Sequence, residues 1–374
     1  MASLYLHIPF CRRLCGYCDF FKSVKSEKMD GVIAMMMSEL AEQREFLTER
    51  TISTIYFGGG TPSLLKPSQV AKFLERIDSL YDTSRVDEIT LEANPDDLTR
   101  KYLRELRATG VNRLSIGVQS FDDGALKFMN RRHTAAQALR AIADARAEGF
   151  DNIAIDLIFG VDGFGDERLL RSIESAIELD VEHIAAYHLT IEPGTLFARR
   201  VAKGEFSPVA EQVSEQEFEL AHTSLTRAGY EHYEISNYAK RGMRSRHNSA
   251  YWHGVEYLGI GPGAHSFARG IRRWACESID GYLDMDYAER YKSEILSHLE
   301  RRNETIMTSL RCCEGLDLSL FEAEYGKKEL QQLLMDGKKL IDSGDLIREE
   351  GRLYIPSERF LRSDMVIERL FSLG

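Results

Sequence analysis

Three cysteines crowd into eight residues near the start of the chain. They lie in the run His7-Ile8-Pro9-Phe10-Cys11-Arg12-Arg13-Leu14-Cys15-Gly16-Tyr17-Cys18-Asp19-Phe20, spaced C-x₃-C-x₂-C. Six cysteines in a chain of 374 residues, three of them packed this closely, make a poor disulfide framework. The pattern points instead to a reducing compartment and a metal on the clustered thiols. Three thiolates on one tight loop suit three irons of a [4Fe–4S] cube, whose fourth iron stays open to a small chelating molecule. Gly16 permits the tight turn, and Arg12 and Arg13 favour thiolates. The alternative is a zinc knob with His7 completing a Cys₃His set. Against it, His7 falls in a predicted strand. Cys276, Cys312 and Cys313 have no metal-type partners close by in sequence and read as buried structural thiols.

Composition narrows the class. Hydrophobic residues are 43% and charged residues 29%, so the bulk of the chain is globular rather than disordered. With 48 basic against 59 acidic residues the net charge is −11, which gives no bulk attraction to nucleic acid or anionic lipid. The opening Met1-Ala2-Ser3-Leu4-Tyr5-Leu6-His7 lacks the basic and long apolar regions of a secretory leader. No stretch reaches the roughly 18 apolar residues of a membrane span. A cytoplasmic protein is expected.

Strands and helices alternate through the first half. Predicted strands are Leu4–Ile8, Thr54–Phe57, Glu88–Leu91, Arg113–Val118, Ile153–Asp156 and His183–Tyr187. Predicted helices are Lys28–Leu47, Ser68–Leu80, Leu98–Ala108, Ala135–Ala147 and Asp166–Leu179. Repeats of this size imply α/β architecture with a parallel sheet and right-handed crossovers. A doubly wound sheet and an incomplete barrel both fit. A partial (βα)6 TIM-type barrel over 1–208 is favoured, because the informative residues sit just past successive strands, where barrel sites are built. From about Val209 the rhythm changes. Helix Ser214–Arg227 and strand Glu231–Ile235 lead to the glycine-rich run 259–265, and the chain is expected helical from Tyr282 to about Arg301. Residues 209–300 are thus expected to extend the barrel with linking helices. Residues 301–374 read as a small C-terminal winged-helix-like domain, with hairpin strands Leu346–Arg348 and Leu353–Ile355. Such modules often bind DNA, but residues 303–374 carry 10 basic and 14 acidic side chains, so no nucleic-acid partner is expected.

Polar residues follow the strands. Gly58-Gly59-Gly60-Thr61-Pro62 follows the second, and its glycines would let backbone approach a ligand closely. No Gly-Lys-Ser/Thr ending is present, which argues against a phosphate loop. Glu92 ends the third strand, Gln119 the fourth and Asp156 the fifth, with Arg131 following the fourth. Two carboxylates, an amide and a guanidinium converging on a barrel mouth suit a sugar diol, an ammonium and a carboxylate.

With an aromatic, Tyr17, before its last cysteine, the cysteine motif resembles the radical S-adenosylmethionine superfamily. The resemblance implies S-adenosylmethionine chelating the open iron through its amino and carboxylate groups. It also implies a reducing electron donor and one-electron cleavage to a 5′-deoxyadenosyl radical. The glycine run resembles the motif that contacts the methionine amino group. Tyr5, His7-Ile8-Pro9-Phe10 and Arg113-Leu114-Ser115-Ile116-Gly117 resemble the oxygen-independent coproporphyrinogen-III-oxidase-like branch, over nearly the whole chain. By position, that branch's S-adenosylmethionine contacts fall on Tyr5, Tyr17, Gly59, Gly60, Thr61, Glu92, Gln119, Arg131 and Asp156, and its cluster ligands on Cys11, Cys15 and Cys18.

Two departures separate this chain from the oxidase pattern. Phe20 stands where the oxidase resembles C-x₃-C-x₂-C-x-C, and the chain starts ten residues before its first cysteine where the oxidase carries an extension. Both match the haem-chaperone group of the branch, as does an H-N-x-x-Y-W motif at His247-Asn248-Ser249-Ala250-Tyr251-Trp252. The resemblance implies haem as a bound group, with His247 a competent axial ligand and Tyr251 and Trp252 packing on the macrocycle. Read from the residues alone, His247 is a structural histidine beside core aromatics. His265 is a weaker candidate for the cofactor mouth. The leading expectation is a chaperone delivering haem to acceptor proteins. The alternative is an oxygen-independent coproporphyrinogen III oxidase forming protoporphyrinogen IX, and a third is a zinc-stabilised interaction barrel.

Overall fold

The computed structural model describes residues 1–372. Positions 373 and 374, the end of the expected third segment, lie outside the described residues. Six strands run parallel and neighbour one another in chain order: β1 (Ala2–Ile8), β2 (Ile52–Gly59), β3 (Glu88–Ala93), β4 (Arg113–Gln119), β5 (Ile153–Phe159) and β6 (His183–His188). Between them come α1 (Met29–Glu42), α2 (Pro67–Leu80), α3 (Arg100–Arg107), α4 (Asp123–Phe128), α5 (Ala135–Ala147) and α6 (Glu167–Glu178). Period-two patterning builds the sheet. Leu4, Leu6, Phe57, Leu91, Leu114, Ile116, Ile153 and Ile155 are wholly buried on the helix-covered face, as where Phe57 meets Phe73 of α2 with ring centroids 6.0 Å apart. The opposite face is polar and carries Tyr5, His7, Tyr56, Glu92, Ser115 and Asp156 in register. The expected partial barrel therefore has an apolar jacket and a polar lumen.

Helix α1 stops at Glu42 rather than Leu47. Phe46 and Leu47 turn back into the core, and Arg273 stacks over the Phe46 ring at 4.0 Å.

The next segment adds strands to both edges of the sheet. After α7 (Leu196–Ala202) and α8 (Glu211–Arg227), strands β7 (Glu231–Glu234) and β8 (Asn237–Ala239) extend the β6 edge antiparallel. Past α9 (Arg246–Trp252), β9 (Tyr257–Ile260) pairs parallel with β1. From there β10 (His265–Ala268), β11 (Ile271–Ala275) and β12 (Tyr291–Ile295) continue antiparallel, giving a 12-stranded sheet. Residues 209–300 thus combine strands at both sheet edges with α8, α9 and the short helices Ile279–Asp284 and Tyr287–Arg290. The stretch expected helical to Arg301 holds β12, which β11 draws into the sheet through cross-strand pairs such as Arg272–Glu294 at 3.2 Å. The glycine-rich run serves packing: a Cβ on Gly261 would stand 2.5 Å from the carbonyl oxygen of His7.

The tail carries helix His298–Leu310, further short helices and a three-stranded sheet of β13 (Leu316–Asp317), β14 (Ile347–Glu349) and β15 (Arg352–Tyr354). Glu350 and Gly351, with φ 49° and 78°, turn the hairpin at the expected place. Among the described residues no helix is long and apolar enough to cross a membrane.

Candidate functional site

The cysteine loop leaves β1 and is tied down along its length. The Cys11 amide donates to Ser23 O at 2.9 Å, and the Ser23 amide donates to Pro9 O at 2.6 Å. Asn130 Nδ2 donates to Leu14 O at 2.7 Å. The Gly16 amide donates to Met129 O at 3.1 Å, and Gly16 O accepts from the Phe197 amide at 2.8 Å. These clamps satisfy loop backbone that no ladder pairs. Three of them come from residues whose sequence gave no such signal: Met129, Phe197 and Asn130. The last has φ 61°, a conformation asparagine tolerates.

The sulfurs face specific donors. Thr61 Oγ1 donates to Cys11 Sγ at 3.4 Å, and Arg131 Nη1 donates to Cys15 Sγ at 3.2 Å. Asn94 joins the two donors. Its Nδ2 reaches Thr61 Oγ1 at 3.4 Å and its Oδ1 accepts from Arg131 Nη2 at 2.6 Å. A continuous polar chain therefore runs Cys11–Thr61–Asn94–Arg131–Cys15 across the ends of β2, β3 and β4. Burial pushes the Cys11 and Cys18 thiols up from their ordinary values, so bound metal is what would hold them as thiolates. His7 does not complete a zinc set. Its Nδ1 accepts from Tyr5 Oη at 3.0 Å, and its Nε2 donates to Phe21 O at 3.0 Å, which engages both ring nitrogens. Cysteines of a cubane sit on separate irons, so the donor set present fits a cluster and leaves one iron without a protein ligand.

The strand-end residues expected around S-adenosylmethionine gather beside this loop. Glu92 accepts from Tyr56 Oη at 2.8 Å and from the Gly59 amide at 3.1 Å. Its carboxyl is pushed up to about 7 by burial, with Asp156 adding to the rise. Asp156 is itself pushed up to about 6 by burial. Arg131 Nε is buried with no partner among the described residues. Gln119 closes β4 with φ 68°, a strained position for a non-glycine residue. Tyr5 stacks on Tyr56 with centroids 6.0 Å apart, and Tyr17 packs between the loop and Phe197, 6.4 Å away. Two carboxylates raised by burial and a guanidinium with an unmet donor fit a ligand carrying both cationic and carboxylate groups.

The glycines also serve packing. A Cβ on Gly60 would stand 2.8 Å from the Pro9 carbonyl carbon, and one on Gly59, at φ 107°, would stand 2.7 Å from His7 Nδ1. They let β2 close on β1 at the root of the cysteine loop. The Gly60 amide donates to Ile8 O at 2.9 Å, so both glycine amides are engaged by protein and ligand contact here would fall to carbonyl oxygens.

The His247 motif is corrected by its surroundings. Helix α9 enters the lumen with its first amides, from Arg246 and His247, donating to Glu88 at 2.9 and 3.0 Å. The His247 ring is 1% exposed. Its Nδ1 donates to Thr54 Oγ1 at 2.8 Å and its Nε2 accepts from Tyr251 Oη at 3.0 Å. It stacks on Tyr56 at 4.8 Å. No nitrogen remains for iron, so His247 is the structural histidine of the bland alternative, one ring away from Glu92. Asn248 is placed by α9, where its amide donates to the Ser245 cap at 3.3 Å. Tyr251 and Trp252 face a cavity on the outer side of α9. His265 lies on β10 against Trp274, with ring centroids 5.9 Å apart. Of the three other cysteines only Cys312 is fully buried; Cys276 and Cys313 keep partial exposure.

Comparison with known proteins agrees with this layout. Residues 5–176 match the radical SAM superfamily, and residues 296–358 match the HemN C-terminal domain. The chain is 35% identical to the heme chaperone HemW of Bacillus subtilis over 368 residues, 95% of each chain. It is 34% identical to that of Lactococcus lactis over 370 residues, 98% of this chain and 96% of the relative. Radical S-adenosyl methionine domain-containing protein 1, mitochondrial, of Danio rerio is 31% identical over 96% of this chain and 83% of its own. The solved coproporphyrinogen III oxidase HemN of Escherichia coli superposes with a TM-score of 0.84 at 22% identity, covering 99% of this chain and 90% of that one. With identity above 30% sustained across nearly its full length, the chain belongs to the HemW family of the radical SAM superfamily.

Proposed function

We propose that this protein binds haem and passes it to haem-dependent acceptor proteins, using a [4Fe–4S] cluster on Cys11, Cys15 and Cys18 with S-adenosylmethionine beside it. The observation that carries the reading is the sulfur donor set. It has three cysteines and no fourth, because the position where an oxidase-type motif would place one is Phe20, which is 65% exposed. Relatives matched over nearly the chain's full length include proteins named heme chaperones, and the likeness to the oxidase is one of fold. Tyr5, Tyr17, Gly59, Gly60, Thr61, Glu92, Gln119, Arg131 and Asp156 form the S-adenosylmethionine site in this reading. A reducing electron donor supplies the cluster, and six unpaired cysteines favour a cytoplasmic setting.

The test is made on one anaerobically reconstituted sample, by titration with haem and by incubation with coproporphyrinogen III, reductant and S-adenosylmethionine. Stoichiometric haem binding with no porphyrinogen turnover is expected. Turnover to protoporphyrinogen IX would replace this reading with the oxidase.

A further inference from the structure

If His247 is sealed in the lumen, the haem of the proposed function needs another ligand and another seat, and both lie on the far side of the same helix. Between α9, the β9–β10 edge, helix His298–Leu310 and the tail sheet is a cavity of about 770 Å³. That volume is in the range of small-molecule and cofactor sites. Tyr251, Trp252, Tyr257, Phe267, Phe321 and Tyr325 supply aromatic walls. Tyr257 meets Tyr251 edge-on at 4.6 Å. A flat apolar macrocycle suits such walls.

The charges at the cavity are mostly matched. Arg272 pairs with Glu294 and Glu304, Arg244 pairs with Glu314, and Arg352 donates to the Glu314 carbonyl at 3.0 Å and stands 3.9 Å from Asp317. Among the described lining residues this leaves Arg301 and the exposed Glu324 without an ion pair. Arg301 is thus free to take a carboxylate such as a propionate.

His253, the residue after the H-N-x-x-Y-W motif, is exposed and lines this cavity. Its Nδ1 is 2.7 Å from Ser249 O. A carbonyl only accepts, so Nδ1 carries the proton and Nε2 keeps its lone pair. No protein donor engages Nε2 among the described residues. An imidazole with one nitrogen anchored on a backbone carbonyl and the other bare is the arrangement metal-ligating histidines adopt. Tyr251 and Trp252 of the motif line the same cavity as His253.

We propose that this cavity is the haem site, with His253 Nε2 as axial ligand and Arg301 as a propionate partner. The proposal rests on the haem-binding reading above. It is tested by titrating reconstituted full-length protein with haem and, separately, with iron-free protoporphyrin IX. In His253→Ala the haem Kd should rise by about tenfold or more, with a shifted Soret band that added imidazole restores. Protoporphyrin IX binding should be unchanged in that variant, because it needs the cavity and not the ligand. Thr308→Trp, which fills the cavity, should lose both ligands. Leu320→Glu, at an exposed lining position, repeats the block without disturbing the core. A wild-type Soret band and Kd in His253→Ala would overturn the ligand assignment, and unchanged binding in both cavity variants would overturn the site. A wild type that binds no haem at all would sink the proposed function as well, whereas wild-type binding insensitive to all three substitutions sinks this inference alone.

Discussion

Arg131 places Nη1 3.2 Å from the sulfur of Cys15 and Nη2 2.6 Å from both Asn94 Oδ1 and the Gly117 carbonyl. One guanidinium thus braces the cysteine loop against two strand ends, and its Nε is buried with no partner among the described residues. Charge-assisted bonds of this kind contribute about 1.5–3 kcal/mol each. Arg131→Ala should weaken S-adenosylmethionine binding at least about tenfold. It should also lower the cluster's midpoint potential, since a hydrogen bond to a ligating sulfur is lost. Arg131→Lys keeps the charge but not the fork and should fall between the two. Calorimetric titration with S-adenosylmethionine and a redox titration followed by electron paramagnetic resonance measure both. An unaltered Kd in Arg131→Ala would remove the residue from the ligand site.

Gly60 shows how a ligand-type motif can be a packing device. A methyl group there would meet backbone on three sides, at Pro9 C, Ile8 O and Phe10 N, all within 2.9 Å. Backbone cannot rotate away as a side chain can. Gly60→Ala should therefore cost about 1–3 kcal/mol and push the loop off β2, which reduces the iron retained per chain after reconstitution. Iron content and melting temperature are the readouts. Wild-type iron loading would show that the loop does not depend on this approach.

The partial barrel was legible because its signal is local: period-two apolar runs alternate with helical ones, and Glu92 and Gln119 stand at strand ends, whereas Asp156, expected to end its strand, lies mid-way along β5, which runs on to Phe159. The cysteine loop was legible because thiols have few other reasons to crowd. What was not legible depends on partners distant in sequence. Strand β12 reads as helix because its pairing with β11 is a tertiary event. His247 stays open between haem ligand and structural histidine until Thr54, nearly two hundred positions earlier, is seen across its ring. Met129 and Phe197 clamp the loop through backbone groups that carry no residue identity. The glycine run illustrates the mixed case, since the need for small residues was visible but the neighbour that imposes it was not.

Glu92 gives a pH dependence. Burial raises its carboxyl from the usual 4.5 to about 7, with Asp156 contributing. In the unfolded chain the group ionises freely above 4.5, while the folded protein resists. The unfolded state then binds fewer protons, and stability falls as pH rises from 4.5 to about 7, levelling off above that. The ceiling is about 3 kcal/mol, trimmed toward 1–2 where water reaches the half-buried group. Glu92→Gln removes this penalty. Its amide oxygen can accept from Gly59 while its NH₂ donates to Tyr56. In ligand-free protein the variant should gain stability over wild type progressively between pH 5 and 7.5, as read by denaturant melts. A gain independent of pH would mean that Glu92 is already ionised in the fold.

Phe197 is fully buried, and its ring lies so close to Gly16 that a Cβ there would stand 2.4 Å from its Cε1. It belongs to a small aromatic cluster apart from the main core. Phe128 and Phe206 each lie 5.1 Å from it, and Arg200 rests over the Phe128 ring at 4.8 Å. The cluster therefore packs against the cysteine loop at Gly16. Truncating Phe197 should cost about 3–5 kcal/mol and open a path for solvent to the sulfurs. Phe128→Ala makes a cavity in the same cluster but leaves the ring on Gly16 in place. Stability alone does not separate the two variants, but the cluster does. Iron loss to a chelator, followed as bleaching of the charge-transfer band, should be several-fold faster in Phe197→Ala than in Phe128→Ala at matched destabilisation. Equal rates would show that the loop is protected by global folding and not by the ring that sits on it.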